Sequence, residues 1–245
     1  MIIFDEKKYA ETMIKKGFQT KNKIVYELNI LAKYYFYKDL NDDEVKSKII
    51  KFCEKYIEHF NLDEWFQIIN RTVFAAKRGK FITGKVVNIT QKELDVIDTL
   101  EDIREKKVVF VLLVLYKFYD YKKFEVVIED LYRLSKLNIN SKTKLKILQS
   151  LTSKELIDIT MGGKRWVKYS DKKGKPVITI KDFDDFVYEY ELYVGTENFK
   201  KCEVCEKAIK GNSKSSTNAK KYCRKCAEEN TKKNKRMWKN RSRKS

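Results

Sequence analysis

The stretch from Phe124 to Ile180, FEVVIEDLYRLSKLNINSKTKLKILQSLTSKELIDITMGGKRWVKYSDKKGKPVITI, carries the pattern on which the fold turns. Apolar residues recur every three or four positions from Phe124 to Leu137, so the spacing predicts a helix there. Asn138–Asn140 reads as a turn, and Ser141 to about Lys154 as a second helix. Alternation then takes over. IDITM, a Gly162–Gly163 turn, KRWVKYS, a DKKGK turn and PVITI read as a meander with hairpin chemistry at both turns. Helix, turn, helix and then antiparallel hairpin strands is the order of a winged helix-turn-helix.

Working outward, Thr90 with Glu93 has the form of a capping box opening a helix to about Arg104. The run from Lys107 to Tyr119 is apolar almost all round and reads as the buried central helix of this region. On the other side, Asp182 to Tyr193 reads as one more helix. The first eighty residues read as a bundle of four amphipathic helices. The first spans about Asp5 to Lys16 with Gly17 as its stop, and the second about Asn22 to Lys38. In the second, Val25, Leu28, Leu31, Ala32 and Tyr35 form one stripe. Asn41 with Glu44 and Asn61 with Glu64 are capping signatures for the third and fourth. Lys80 to Asn88 reads as an extended connector. The expectation is a mainly α protein. Residues 1–80 form the bundle, 81–197 a winged-helix-like α+β domain, and 198–245 a cysteine knuckle with a basic tail.

Composition agrees with a helical, core-forming chain: 42% of the 245 residues are hydrophobic, with one proline and eight glycines. The 54 basic and 35 acidic residues leave a formal charge of +19. From Lys200 to Ser245 there are 17 basic and 4 acidic residues, a net +13, so the remaining residues carry only +6. A basic excess gathered at one end points to a polyanion, most often nucleic acid. The start, MIIFDEKKYAETMIKK, lacks the apolar run of a signal peptide, and Val108–Tyr116 is too short to span a bilayer. The expected setting is soluble and cytoplasmic, with no membrane partner.

Cys202 and Cys205 form one C-x2-C pair and Cys223 and Cys226 another, with 17 residues between them. Two such turns aim four thiolates at one point, the tetrahedral shell that Zn²⁺ accepts. The expected cofactor is one structural zinc, because four protein ligands leave no open position for water. Free or disulfide-bonded cysteines, or an iron–sulfur cluster, are the alternatives. Cys53 reads as a small core residue. His59 is the only histidine, which excludes the histidine-based nuclease, phosphohydrolase and triad sites. Asp182, Asp184 and Asp185 resemble a Mg²⁺ cluster, but carboxylates at a helix start serve its free N–H groups. Gly162–Gly163–Lys164 joins strands and so is no phosphate loop. No catalytic constellation emerges, and the expectation is a non-enzyme.

The second helix of the helix-turn-helix offers Lys142, Lys144, Lys146, Gln149 and Ser150 outward, with Leu145, Ile147, Leu148 and Leu151 inward. Lysines there suit phosphates, while Gln149 and Ser150 suit base edges. The wing offers Lys164, Arg165, Lys168, Lys172, Lys173 and Lys175. In the C-terminal segment the candidates are Lys220, Lys221, Arg224, Lys232, Lys233, Lys235, Arg236, Trp238, Lys239, Arg241 and Arg243. The plain alternatives are the solvated faces of an ordinary α+β domain and a solubilising tail.

The ending KKYCRKCAEENTKKNKRMWKNR resembles the YCxxCA-plus-basic ends of small zinc-ribbon proteins encoded by phages and mobile elements of low-GC Gram-positive bacteria. The likeness is specific only from Cys202 to about Lys239. It implies the ligand set Cys202, Cys205, Cys223 and Cys226, with Tyr222 before the second pair, and it supplies a setting rather than a mechanism. The functional expectation is a nucleic-acid binder, duplex DNA before RNA, as a phage or mobile-element regulator or replication accessory. The alternative is an interaction protein that docks a host or phage protein through the N-terminal bundle.

Overall fold

The computed structural model describes residues 2–161, 163–211 and 220–241, apart from the side chains of 239–241. The chain divides into two compact units, residues 2–85 and 86–245, so the cysteine segment belongs to the second unit and not to a third.

The first unit is the expected bundle: α1 (Glu6–Lys16), α2 (Ile24–Tyr37), α3 (Asp42–Tyr56) and α4 (Leu62–Arg78). Side-chain oxygens set three of the four starts by accepting otherwise orphaned N–H groups. Asp5 accepts from Lys8 N at 3.0 Å, Asn61 from Asp63 N at 3.0 Å, and Asn41 forms a full capping box with Glu44. Gly17 closes α1 at φ +84°, and a Cβ there would sit 2.7 Å from the Tyr56 ring, so only glycine fits. Met13, Leu28, Leu31, Ile49, Phe52, Cys53, Ile69 and Val73 make the core. Burial pushes the Cys53 thiol up to about 12, as suits an inert core residue. His59 sits exposed in the turn after α3, at φ +54°.

The stripe expected on α2 is corrected. Val25 is half exposed, while Glu27 is fully buried. Its carboxylate accepts from Tyr9 Oη (2.5 Å), Gln19 N (2.9 Å) and Thr20 Oγ1 (2.9 Å), which replace water as hydrogen-bond donors. Glu6 is likewise buried, pairing with Lys33 at 3.0 Å and accepting from Ile82 N at 2.8 Å. That last bond pins the connector beneath the start of α1.

The second unit begins with β1 (Val87–Thr90), α5 (Gln91–Asp98) and α6 (Ile103–Phe118). The helix expected to run to Arg104 stops at Asp98, and Asp102 caps the next one by accepting from Arg104 N at 2.8 Å. Helix α6 is buried from Val108 to Leu115, as its apolar run requires. Next come β2 (Phe124–Glu125), α7 (Ile128–Leu134), α8 (Ser141–Ser153), β3 (Ile157–Ile159), β4 (Lys164–Val167), β5 (Pro176–Ile180) and α9 (Val187–Tyr193). The helix expected from Phe124 is therefore shorter, because Phe124 and Glu125 pair as a strand with Arg165 and Lys164.

The meander is corrected too. Strands β3 and β4 form the first hairpin, with Ile157 opposite Val167, but β5 leaves them and pairs antiparallel with β1. The sheets are ordered β2–β4–β3 and β1–β5. The DKKGK segment is thus a crossing between sheets. Glu93 anchors it, accepting from Asp171 N at 2.8 Å as well as from Thr90 N at 2.9 Å and Lys117 Nζ at 2.6 Å. A Cβ at Gly174 would lie 2.1 Å from the Asp171 carboxylate, which would have to shift. The last elements are β6 (Phe199–Lys201), β7 (Ala208–Lys210) and α10 (Arg224–Arg241). No described helix is long and apolar enough to cross a membrane.

Candidate metal centre and basic surfaces

The first cysteine pair sits in the turn of the β6–β7 hairpin, in which Phe199 faces Lys210 and Lys201 faces Ala208. Cys202 N donates to Lys207 O at 2.8 Å and Glu206 N to Cys202 O at 2.9 Å. This closes a tight knuckle that needs φ +59° at Glu206. The second pair flanks the start of α10, with Cys223 just before the helix and Cys226 in its first turn. A helix N-terminus presents N–H groups and positive dipole to both sulfurs. The hairpin docks within its unit through α9: Ala208 N donates to Glu189 at 2.9 Å, and Lys207 pairs with Asp182 at 3.2 Å.

All four Sγ atoms lie within 4.8 Å of one another, and among the described residues this is the one such ligand group. Cys223 N donates to the Cys202 sulfur at 3.2 Å, and Cys226 N to the Cys223 sulfur at 3.4 Å. Desolvation works against ionisation of Cys202, but N–H donors from Cys223, Cys205 and Val204 overcome it and hold its thiol down at about 6. Cys226 is pushed up, first by sharing hydrogen bonds with Cys223. Four thiols this close do not all ionise without a cation among them. A tetrahedral site with metal–sulfur bonds of about 2.3 Å places its sulfurs about 3.8 Å apart, and Cys205 and Cys223 stand at 3.7 Å. The donors present fit a metal ion.

Among the described residues, Asp182, Asp184 and Asp185 do not come together as a metal-ligand group. Helix α9 opens at Val187, five residues after the expected Asp182. Asp182 accepts from Asp184 N at 2.9 Å and pairs with Lys207, while Asp185 pairs with Lys136. An open cleft of about 920 Å³ lies between β5, α9 and the knuckles. Lys181, Lys207 and Lys225 share its wall with Asp182, Glu189 and Glu229, so it is no anion groove.

The expected nucleic-acid contacts divide. On α8, Lys142, Lys146 and Gln149 are exposed on one row. Leu145, expected inside, joins that row at 52% exposure, while Ile147, Leu148 and Leu151 hold the core side. Lys144 is half-buried over the Tyr132 ring, and Ser150 is half-buried. Lys164 and Lys168 point outward on β4 and just beyond its end, with Lys168 3.9 Å from Asp158.

Arg165 is a correction. Alternation along β4 turns it inward with Val167, and its guanidinium donates to the carbonyl of Val126, so it braces the sheet and is closed to any ligand. Lys172, Lys173 and Lys175 are exposed, but on the crossing segment and not at a hairpin tip, with Lys172 lying over Tyr121 at 4.6 Å.

In the C-terminal segment Lys220 and Lys221 are exposed, and Arg224 pairs with Glu228 at 2.9 Å. Every position of α10 from Glu228 to Trp238 is exposed, including Lys232, Lys233, Lys235 and Arg236. Lys239 and Arg241 lie in the helix with side chains outside the described set, and Arg243 lies outside the described residues. Sequence reasoning missed Glu93, Lys117 and Glu27 as buried polar groups. A lysine inside the apolar run of α6 was the signal that could have found one of them.

No family model, no curated protein and no solved structure matches this chain.

Proposed function

We propose that the chain is a non-enzymatic nucleic-acid-binding protein that holds one structural zinc ion and grips duplex DNA at two places. The observation that carries this reading is the sheet order β2–β4–β3 beside α7 and α8. A strand from before the two helices pairs with the hairpin that follows them, which supports a winged helix-turn-helix reading. The helix α8 would enter the major groove, and the turn around Met161 would serve as the wing. The outward row of α8 suits groove binding, with Lys142 and Lys146 placed for phosphates and Gln149 for a base edge.

Zinc is the proposed ion because four thiolates in a closed tetrahedral shell favour it over harder cations. It would be held by Cys202, Cys205, Cys223 and Cys226, and would supply a fixed junction between hairpin and helix. From that junction α10 extends its basic surface, a second grip that follows the phosphate backbone without reading sequence. Trp238, 70% exposed, offers a face on which a base would stack. A regulatory or replication-accessory role belongs to this same proposal.

The test is a titration of labelled duplex, single-stranded DNA and structured RNA at several salt concentrations. Substituting Lys142 and Lys146 by Ala should lower the slope of log K against log salt by about 2, at roughly 0.9 per phosphate contact. Substituting Lys232, Lys233, Lys235 and Arg236 should flatten it further, equally for every sequence. Absence of duplex binding at moderate salt would overturn the reading, and tighter binding of RNA would replace DNA as the partner.

A further inference from the structure

Of the fourteen phenylalanines in the chain, only Phe66 and Phe74 are exposed, at 57% and 56%. Both stand on α4, eight residues apart, on one i, i+4, i+8 row with Asn70 between them. The other side of the helix supplies Ile69, Thr72, Val73 and Ala76 to the bundle core. The row is therefore a second apolar ridge that the bundle leaves in water, where burial of each aromatic ring goes unrealised.

The middle of the ridge is symmetric about Asn70, although at its ends Leu62 stands where the reversed helix has Arg78. Four residues to either side are the two phenylalanines. Seven residues to either side are Asp63 and Lys77, an acid and a base. Turning α4 end for end thus brings aromatic onto aromatic and acid onto base. A face with that property is complementary to itself, which is what a two-fold interface demands. An unrelated partner would need neither the equal spacing nor the opposite charges.

We propose that α4 is the contact by which two copies of this chain associate. The two helices would run antiparallel across a two-fold axis at Asn70. Phe66 would lie against Phe74 of the partner subunit, and Asp63 opposite Lys77 of the partner subunit. Identical i±4 ridges interdigitate at a crossing angle near about −50°, and antiparallel dipoles favour the pairing. Within one chain Lys77 pairs with Asp42 at 2.8 Å, but both side chains are about half exposed, so that bond holds Lys77 only weakly. The Arg78 guanidinium lies 3.9 Å from the Phe74 centroid and covers part of that ring in the single chain.

Sedimentation equilibrium on the full-length protein across micromolar concentrations should show a monomer–dimer equilibrium. Phe66→Ser with Phe74→Ser should leave a monomer with unchanged helicity and melting temperature, because neither ring belongs to the core. Asp63→Lys alone and Lys77→Asp alone should each weaken the dimer about tenfold, since each homodimer sets like charges together. An equimolar mixture of those two variants should restore dimers, and their reappearance also shows that both variants fold. A wild-type monomer throughout, a dimer that survives the double Phe substitution, or a mixture that stays monomeric would each overturn the proposal. Chelation of metal should leave the equilibrium untouched, which separates this contact from the cysteine centre.

Discussion

The N-terminal bundle and the cysteine segment reach a defined shape by different physical means. In the bundle, α1 to α4 close over Met13, Leu28, Leu31, Ile49 and Phe52, and buried Glu6 and Glu27 find their donors inside the same unit. Among the described residues, the cluster around Cys202, Cys223 and Cys226 includes Ile209, with Tyr222 half covering it and Ala208 buried nearby. A core of that size offers little against the ordering of the hairpin and α10 at about 1–2 kcal/mol per residue. The bundle's stability is thus a sum over many side chains, whereas the proposed metal would let one ligand set support the cysteine segment. On the proposed reading, a single loss dents the first and abolishes the second.

Denying the four cysteines the proposed ion, by chelation or by Cys223→Ser, is the strongest way to break that contrast. Structural zinc contributes on the order of 10 kcal/mol to zinc-finger peptides. The β6–β7 hairpin and α10 should then become sensitive to proteolysis while the melting of the bundle stays the same. Continued protection of that segment would show that its docking on α9 suffices without metal.

The middle of the chain extends the contrast to buried charge. Lys117→Ala would leave the Glu93 carboxylate, 1% exposed, without its counter-charge. The expected loss is about 3–5 kcal/mol in denaturant unfolding. Leu31→Ala in the bundle core should cost about 2–5 kcal/mol and leave metal content at its normal stoichiometry. The smallest effect belongs to the cap of α3: Asn41→Ala, which removes the acceptor for Asp43 N and Glu44 N, should cost about 1 kcal/mol. A larger loss there would mean that the bundle is less evenly supported than its core suggests.

Legibility followed the range of the interaction. Asn41 with Glu44 is read directly, because a capping box closes within four residues. The cysteine spacing is read directly too, since each knuckle is a local turn and thiolates have few other uses at that spacing. Val25 was misplaced and Glu27 overlooked for the opposite reason. Periodicity marks carboxylates as outward, whereas Tyr9, Gln19 and Thr20 arrive from elsewhere to satisfy this one. Leu145 illustrates the same limit from the apolar side. It keeps helical spacing with the core residues of α8, yet no neighbouring element covers it.

By itself, then, the sequence determined what local chemistry can decide: helix starts, the apolar α6, the β3–β4 hairpin and a four-thiol centre beside a basic helix. Only the tertiary structure decided that β5 pairs with β1 and not with β4, that Phe124 and Glu125 form a strand, and that Arg165 points inward. An alternating strand fits any partner edge equally well in one dimension. The choice among edges is made by distant groups, here the Glu93 carboxylate holding the Asp171 crossing and the Val126 carbonyl receiving Arg165.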